Sequence, residues 1–346
     1  MNLSKITIVI PSYERQKYLI KKIKYWSNFE VDVHIVDGSD KPLDHLKFEN
    51  FKRVKYHHIK ILSEVDRLKK ILPLINTKYS ILSSDDDFLL LNGLNDCLDE
   101  LERNKDLVSC YGQTLSFYRQ KDNVKFFRTD KGLYNFENNG HTPWARLQNQ
   151  MKNYTPSIIY SLMRTEYFKN IFDIDNFSRF KYYSSLEIRA TLLINYYGKS
   201  KVIKSLLVLR NKEEKSATKR NFKNTSFFLT MFHPSQKRNR KDFTDELVKS
   251  IKKIFQVDES RTSKMFEKAL RTYLIFTIKR FFKKKLFLLF INNLNFFFKR
   301  RRSEKLSRLV DFPDLKYYCD SKEINLNEND YNLIEKFLIN NNKDKN

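Results

Sequence analysis

Three consecutive aspartates, Asp85, Asp86 and Asp87, stand directly after the short apolar run at residues 79–84. Carboxylates this close repel one another steeply unless a cation or solvent relieves them. Oxygen-rich clusters of this kind suit Mg²⁺ or Mn²⁺, which take carboxylate, water and phosphate ligands. A solvated acidic turn ahead of the next helix would use the same residues. The neighbourhood of the triplet separates the two readings. Two other polar groups close apolar runs in the same manner: Pro11, Ser12, Tyr13 and Glu14 after residues 5–10, and Asp37, Gly38, Ser39 and Asp40 after residues 31–36.

The elements that must position these groups follow from the hydrophobic pattern. Short β-rich runs alternate with helical periodicities over the first two hundred residues, which predicts an α/β architecture with a mostly parallel sheet. Strands are expected at 5–10, 31–36, 54–59, 79–83, 107–118, 155–163 and 201–209. Helices are expected at 15–28, 64–75 (with Ser63 as N-cap), 93–103, 141–153, 165–172 and 185–197. Ligands of open α/β sheets bind outside the carboxyl ends of the strands. All three polar groups fall at such ends. Together they resemble a nucleotide-sugar pocket, in which an aromatic ring and a carboxylate grip the base and further carboxylates hold a metal on the diphosphate.

The runs Ile6-Thr7-Ile8-Val9-Ile10-Pro11-Ser12-Tyr13, Val36-Asp37-Gly38-Ser39 and Leu82-Ser83-Ser84-Asp85-Asp86-Asp87 resemble, in that order, the family 2 glycosyltransferases of the GT-A fold. The resemblance is closest to the bacterial surface-polysaccharide branch, whose aspartates occur as Ser-Asp-Asp-Asp-Phe. It spans roughly residues 4–210. It implies a Rossmann-like catalytic domain in which Pro11, Ser12, Tyr13 and Glu14 line the base, Asp37 accepts the base N–H, and Arg67 faces the nucleotide. It further implies Asp85 or Asp86 at the ribose and Asp87 as first metal ligand, with Asp85 as a second. Mn²⁺ or Mg²⁺ would neutralise the departing nucleoside diphosphate. Two positions depart from the family pattern: members usually have Asn where this chain has Glu14, and often a second acidic residue where it has Gly38.

Inverting sugar transfer needs a base to take the acceptor hydroxyl's proton. The family places it near the start of a helix about a hundred residues beyond the metal motif. Glu187, within Ser184-Ser185-Leu186-Glu187-Ile188-Arg189, matches that helix, although the common Glu-Asp pair is missing. A surface charge beside Arg189 is the alternative, with Asp173 and Asp175 as fallback bases. His141, Trp144 and Arg146 lie where the fold varies to suit its acceptor. A Trp can stack on a sugar face and an Arg can meet a phosphate; Trp144 could equally anchor its helix.

The chain has 346 residues, 41% hydrophobic content and a net charge of +25, enough to bury a large core. The positive excess concentrates in residues 211–302, where 25 basic residues face 8 acidic ones. Three cysteines without metal-ligand spacing predict reduced thiols and a cytoplasmic protein. No leader pattern or spanning apolar stretch is expected. The domain reading is a catalytic domain at 1–210, a linker or mobile loop at 211–225, a basic Phe-rich helical region at 226–308 and a polar tail at 309–346. Within the helical region, the basic runs flanking residues 286–298 suit docking on an anionic membrane at the inner face of the cytoplasmic membrane, near a glycan or lipid-linked acceptor. A helix packed on the catalytic domain is the plain alternative. No recognition-helix, RNP-like or zinc-finger pattern occurs, and no nucleic-acid partner is expected. The rival function classes are a degenerate nucleotide- or glycan-binding module without turnover and a basic membrane or nucleic-acid scaffold.

Overall fold

The computed structural model describes residues 2–44, 51–61, 63–120, 123–128, 134, 136–174, 183–212, 235, 237–292 and 309–340. The chain runs β1 (Ile6–Ser12), α1 (Gln16–Trp26), β2 (Asp32–Asp37), β3 (Val54–His58), α2 (Glu64–Ile71), β4 (Tyr79–Leu82), β5 (Phe88–Leu89), α3 (Leu91–Arg103), β6 (Leu107–Gln120) and β7 (Asn123–Arg128). There follow β8 (Glu137–Asn138), α4 (Pro143–Lys152), β9 (Leu162–Arg164), α5 (Thr165–Phe172), α6 (Tyr183–Tyr197) and β10 (Lys199–Asn211). The last described elements are α7 (Lys237–Lys252), α8 (Glu259–Asn292), β11 (Val310–Asp311), α9 (Leu315–Asp320) and α10 (Glu328–Ile334).

One mixed sheet organises these elements in the order β11-β7-β6-β9-β4-β1-β2-β3, with β10 pairing β5, β6 and β8. The quartet β3-β2-β1-β4 is parallel. Its inner strands β1, β2 and β4 are buried almost throughout because helices cover both faces of the sheet, whereas β3 at the edge is polar and partly exposed. One buried cluster packs residues of α2, α4, α5, α6, α7 and α8 on one side, and a second joins β1 and β2 to α1 and α3. The α/β expectation is met, with a curled, mostly parallel sheet flanked by helices.

Register sets the geometry of the rim. Ser12 pairs with Asp37, so the loops after β1 and β2 leave the sheet side by side. Val9 pairs with Leu82, which places Ser12 and Asp85, each three residues further on, at one height.

Two expectations need correction, and one open alternative is resolved. Residues 155–163 do not form a long strand: Pro156 opens a 3-10 turn over Pro156–Tyr160, and only Leu162–Arg164 joins the sheet. Proline suits a first helical turn, where its missing N–H costs nothing. The described part of the 309–346 segment is not a loose polar tail. β11 pairs with β7, and Leu315, Cys319, Ile324, Ile334 and Leu338 complete a third core cluster with Phe117 and Phe126. The buried Asp330 carboxylate accepts the Leu91 and Asn92 N–H groups, capping α3 from a distant part of the chain. The basic helices pack on the sheet domain, as the plain alternative had it. In α7, Glu246 pairs with the fully buried Arg189 of α6 at 2.6 Å. Most of the expected linker, and the basic run at 299–302, lie outside the described residues.

Candidate active site

The three strand-end loops meet at one rim. Ser12 Oγ donates to Asp85 Oδ2 at 2.8 Å, and Gly38 N–H donates to the Ser12 carbonyl at 3.0 Å. Arg67, buried on α2, donates from Nη2 to the same carbonyl at 3.3 Å and from Nη1 to the Ile61 carbonyl at 2.5 Å. Its guanidinium stands 5.9 Å from the centre of the Tyr13 ring. Burial lowers the Arg67 pKa, against the pull of Glu64, Asp37 and Tyr13. Pro11, next to last in β1, is half-buried.

Glu14 crosses the rim with φ of 53°, in the left-handed region that side chains other than Asn, Asp and Gly rarely adopt. Its carboxylate accepts the Asp40 N–H at 2.8 Å, and its own N–H reaches Ser39 Oγ at 2.8 Å. Asn tolerates this backbone more readily than Glu, which adopts it under strain.

The Asp37 side chain is fully buried, Oδ1 accepts from the Ser39 N–H and hydroxyl, and Oδ2 accepts from Tyr56 at 2.7 Å. A carboxylate so engaged shapes the turn after β2, and Oδ2, with Tyr56 as its described donor, keeps a second acceptor site.

The acidic triplet carries its own counter-charges. Arg15 bridges Asp85 Oδ1 at 2.8 Å and Asp86 Oδ2 at 2.6 Å, and Ser84 Oγ donates to Asp86 Oδ1 at 2.6 Å. Burial pushes Asp85 up to about 6, with Arg15 opposing the shift. Asp87 accepts the Asn211 N–H on Oδ1 at 2.9 Å, and its Oδ2 is 3.8 Å from Arg210 Nε. Burial and Asp86 push the Asp87 carboxyl up, and Arg210 pulls it down. Lys22, 2% exposed, sits with Nζ 4.6 Å from the Phe88 ring centre and within the field of all three aspartates.

Glu187 on α6 is half-buried, and desolvation raises its carboxyl to about 7, which Arg210 partly offsets. Arg210 therefore acts on both Glu187 and Asp87. Glu64, at the first turn of α2, is likewise pushed up to about 7 by burial, with Arg67 opposing and Asp85 and Glu187 adding repulsion. Its Oε1 is buried without a hydrogen-bond partner. These mutual effects bring Glu64, Asp85, Asp87, Glu187 and Arg210 into one electrostatic neighbourhood. Such displaced carboxyls mark sites that move protons. Asp173 does not join them: Lys253 at 2.6 Å and Lys69 at 3.2 Å outweigh its burial and hold its carboxyl below the ordinary range. Asp175 lies outside the described residues.

The acceptor expectation for Arg146 is corrected too. Its guanidinium donates to the carbonyls of Gly140, Asn195 and Tyr196, closing the end of α6. Arg146 and His141 line a cavity of about 710 Å³ beside Lys78, Asp106 and Lys199. Lys78 and Asp106 immediately precede β4 and β6, and Lys199 begins β10, so the cavity opens at the opposite end of the sheet from the triplet. Trp144 is 37% exposed on α4, with the Lys268 ammonium 5.9 Å from its ring centre.

Among the described residues no group of three His, Cys, Asp or Glu side chains could hold a metal ion by itself. Mg²⁺ needs only one or two carboxylates when substrate phosphates and water complete its shell. Asp87 fits that requirement, because its Oδ2 meets only the longer Arg210 contact among the described residues. Asp85 is the poorer second ligand, because the Arg15 guanidinium already balances its charge.

Arg15, Lys22, Glu64 and Arg210 were missed by sequence reasoning. Arg15 could have been flagged, since three adjacent carboxylates demand a cation and it follows the first loop directly. Lone Lys22, Glu64 and Arg210 follow no pattern.

The fold is that of GT-A-like glycosyltransferase structures, with three strand-end loops meeting at one rim. Among solved structures, S. aureus TarS is similar at 12% identity and a TM-score of 0.51, over 78% of this chain and 43% of that one. Residues 1–349 of S. aureus TarS in complex with UDP-GlcNAc align at 13% identity and a TM-score of 0.51, over 78% and 73%. This chain thus spans less than half of the longer TarS chain. No protein-family model matches the sequence, and no curated protein matches it.

Proposed function

We propose that the protein is an inverting glycosyltransferase that moves a sugar from a nucleotide-sugar donor to a glycan or lipid-linked acceptor, in bacterial surface-polysaccharide synthesis on the cytoplasmic side of the membrane. The observation that carries the reading is the three-way tie at Ser12, which bonds the Asp85 loop, the Gly38 turn and Arg67 together. The complex of TarS with UDP-GlcNAc supports a uridine nucleotide as first donor to test.

In this reading Tyr13, backed by Arg67, forms the wall for the planar base, with Pro11 and Glu14 at its edges. Asp85 and Asp86, held in place by Arg15, accept from the ribose hydroxyls. Asp87 would hold Mn²⁺ or Mg²⁺, which when bound supplies Lewis-acid stabilisation of the diphosphate. Glu187 takes the acceptor hydroxyl's proton as its oxygen bonds to the anomeric carbon. The bond from that carbon to the donor phosphate breaks, and its electron pair leaves with the diphosphate. Arg210 faces both events, keeping part of the Glu187 population ionised near neutral pH. Turnover should rise as pH passes about 7, because the base works only when deprotonated.

The test is calorimetry with a panel of nucleotide sugars, with and without Mn²⁺, followed by turnover of Asp87→Ala and Glu187→Gln. Glu187→Gln should keep donor binding and lose turnover about a hundredfold or more; wild-type rates would remove Glu187 as base. Asp87→Ala should abolish transfer in a folded protein, and undiminished turnover would refute its cation role. Absence of heat with every donor would overturn the proposal. A binding module without turnover is the second reading, favoured by the Arg15 clamp on Asp85 and Asp86. It predicts donor heat but no transfer to any acceptor.

A further inference from the structure

The outer face of α8 changes character along its length. Thr262, Phe266, Ala269 and Leu270 are buried on the inner side, and Tyr273 meets the Tyr154 ring edge-on at 4.8 Å. The opposite face carries Lys264, Lys268, Arg271, Ile275, Ile278 and Phe282, spaced three or four residues apart so that they form one stripe. Its first half is cationic, as an outward face should be. Its second half is apolar and still exposed: Ile275 53%, Ile278 38% and Phe282 57%. Lys279 and Arg280, both exposed, flank it. The exposed Trp144 ring lies beside the same helix, under Lys268.

We propose that this face of α8 docks on an anionic phospholipid bilayer, with Ile275, Ile278 and Phe282 entering the interface and Lys268, Arg271, Lys279 and Arg280 meeting the headgroups. An apolar stripe bordered by cations is the pattern of a helix lying in the membrane plane. Charge complementarity selects an anionic surface, because 25 basic residues face 8 acidic ones across residues 211–302. A nucleic-acid groove would use the cations and stacked aromatics but leave the two isoleucines without a role. No described helix is long and apolar enough to cross a membrane, so the contact is a surface one.

This deepens the sugar-transfer reading and rests on it for its consequence. Tyr273, in the field of Glu187, precedes Phe282 by nine residues, roughly 14 Å along the axis. A bilayer on this face would hold a lipid-anchored acceptor close to the base.

The test uses the full chain in co-sedimentation with phosphatidylglycerol vesicles and with phosphatidylcholine vesicles. The wild type should pellet with the first and not the second. Ile275→Ser/Ile278→Ser/Phe282→Ser and, separately, Lys279→Gln/Arg280→Gln should lose about tenfold or more in partitioning, with circular dichroism and donor heat unchanged. Failure of the wild type to pellet, equal pelleting of the triple variant, or equal binding to both vesicles would overturn the proposal. So would binding to a single-stranded oligonucleotide without binding to vesicles. Vesicle binding that persists beside a silent donor titration supports the docking surface while refuting the sugar-transfer reading.

Discussion

Gly38→Ala should damage the candidate donor pocket through Arg67. Gly38 does not have a positive φ, so its backbone tolerates alanine. Space is what it lacks: an added Cβ would stand 2.4 Å from Arg67 Nη1, 2.6 Å from Cζ and 2.8 Å from Nε. Carbon contacts are comfortable near 3.5 Å, so the guanidinium must retreat by roughly 1 Å. Arg67 is 2% exposed, which leaves it no easy path. That retreat breaks the short bond to the Ile61 carbonyl and the longer one to Ser12. Hydrogen bonds from a charged donor contribute about 1.5–3 kcal/mol each, and the 3.3 Å bond counts for less. The reduced entropy of an alanine-bearing unfolded chain returns about 0.4–1 kcal/mol. The expected net loss is about 1–3 kcal/mol, read from urea unfolding, with donor affinity falling alongside. A double-mutant cycle isolates the cause. In an Arg67→Ala background, Gly38→Ala should cost nothing, because the colliding atoms are gone. An equal cost in both backgrounds would show that Arg67 is not what glycine makes room for.

Stability should depend on pH through His34, whose pKa burial and the neighbouring His57 lower to about 4. A group titrating at about 6.5 unfolded and near 4 folded contributes stability that is complete above 6.5 and drains away as pH falls towards 4, about 3 kcal/mol in all; urea midpoints that stay flat across that window would refute it. Glu246→Leu should cost about 3 kcal/mol or more, because Arg189 would be left buried without its partner; a neutral result in equilibrium unfolding would detach α7 from the catalytic unit. Asp330→Ala should cost about 1–2 kcal/mol by uncapping α3, which the same measurement would check. Glu14→Val should be less stable than Glu14→Gly by about 1–2 kcal/mol, since only glycine accepts φ of 53° freely; equal stabilities would mean the turn relaxes.

The sequence pattern carried most of the rim. Strands β1 and β2 end at Ser12 and Asp37, the triplet follows β4 after Ser83 and Ser84, and buried apolar runs followed by polar groups can be recognised without coordinates. Orientation could not be recognised. A carboxylate in Asp37-Gly38-Ser39 reads the same whether it faces a ligand or, as in this fold, its own turn and Tyr56. Arg146 looked like an acceptor contact and instead holds three carbonyls, because only the fold brings Gly140, Asn195 and Tyr196 around it. The segment from Val310 to Ile339 looked polar because its short helices bury one residue per turn. The pairs Leu315 with Cys319 and Ile334 with Leu338 are too sparse to register as a core pattern. The departures at Glu14 and Gly38 became intelligible only with φ and the position of Arg67. An acidic side chain at position 38 would press on that guanidinium.

Lys22 provides the sharpest discrimination between a structural and a functional account of the triplet. Its ammonium is buried without a hydrogen-bond partner, and burial lowers its pKa to about 8, so it is still mostly charged at neutral pH. Holding that charge costs about 3 kcal/mol relative to an unfolded lysine, since each tenfold loss of proton affinity is worth about 1.36 kcal/mol. The Phe88 contact offsets about 1 kcal/mol of this on the scale of cation–π pairs. Lys22→Met fills similar space without the charge and should therefore stabilise the fold by about 1–2 kcal/mol. The same change leaves Asp85, Asp86 and Asp87 with only Arg15 and Arg210 as described counter-charges, so a site that must accept an anionic diphosphate becomes more negative. Donor affinity should fall while the urea midpoint rises. Opposite signs in one variant are what a cation retained for binding predicts, and a variant that unfolds more easily yet binds donor as before would show that Lys22 serves the core alone.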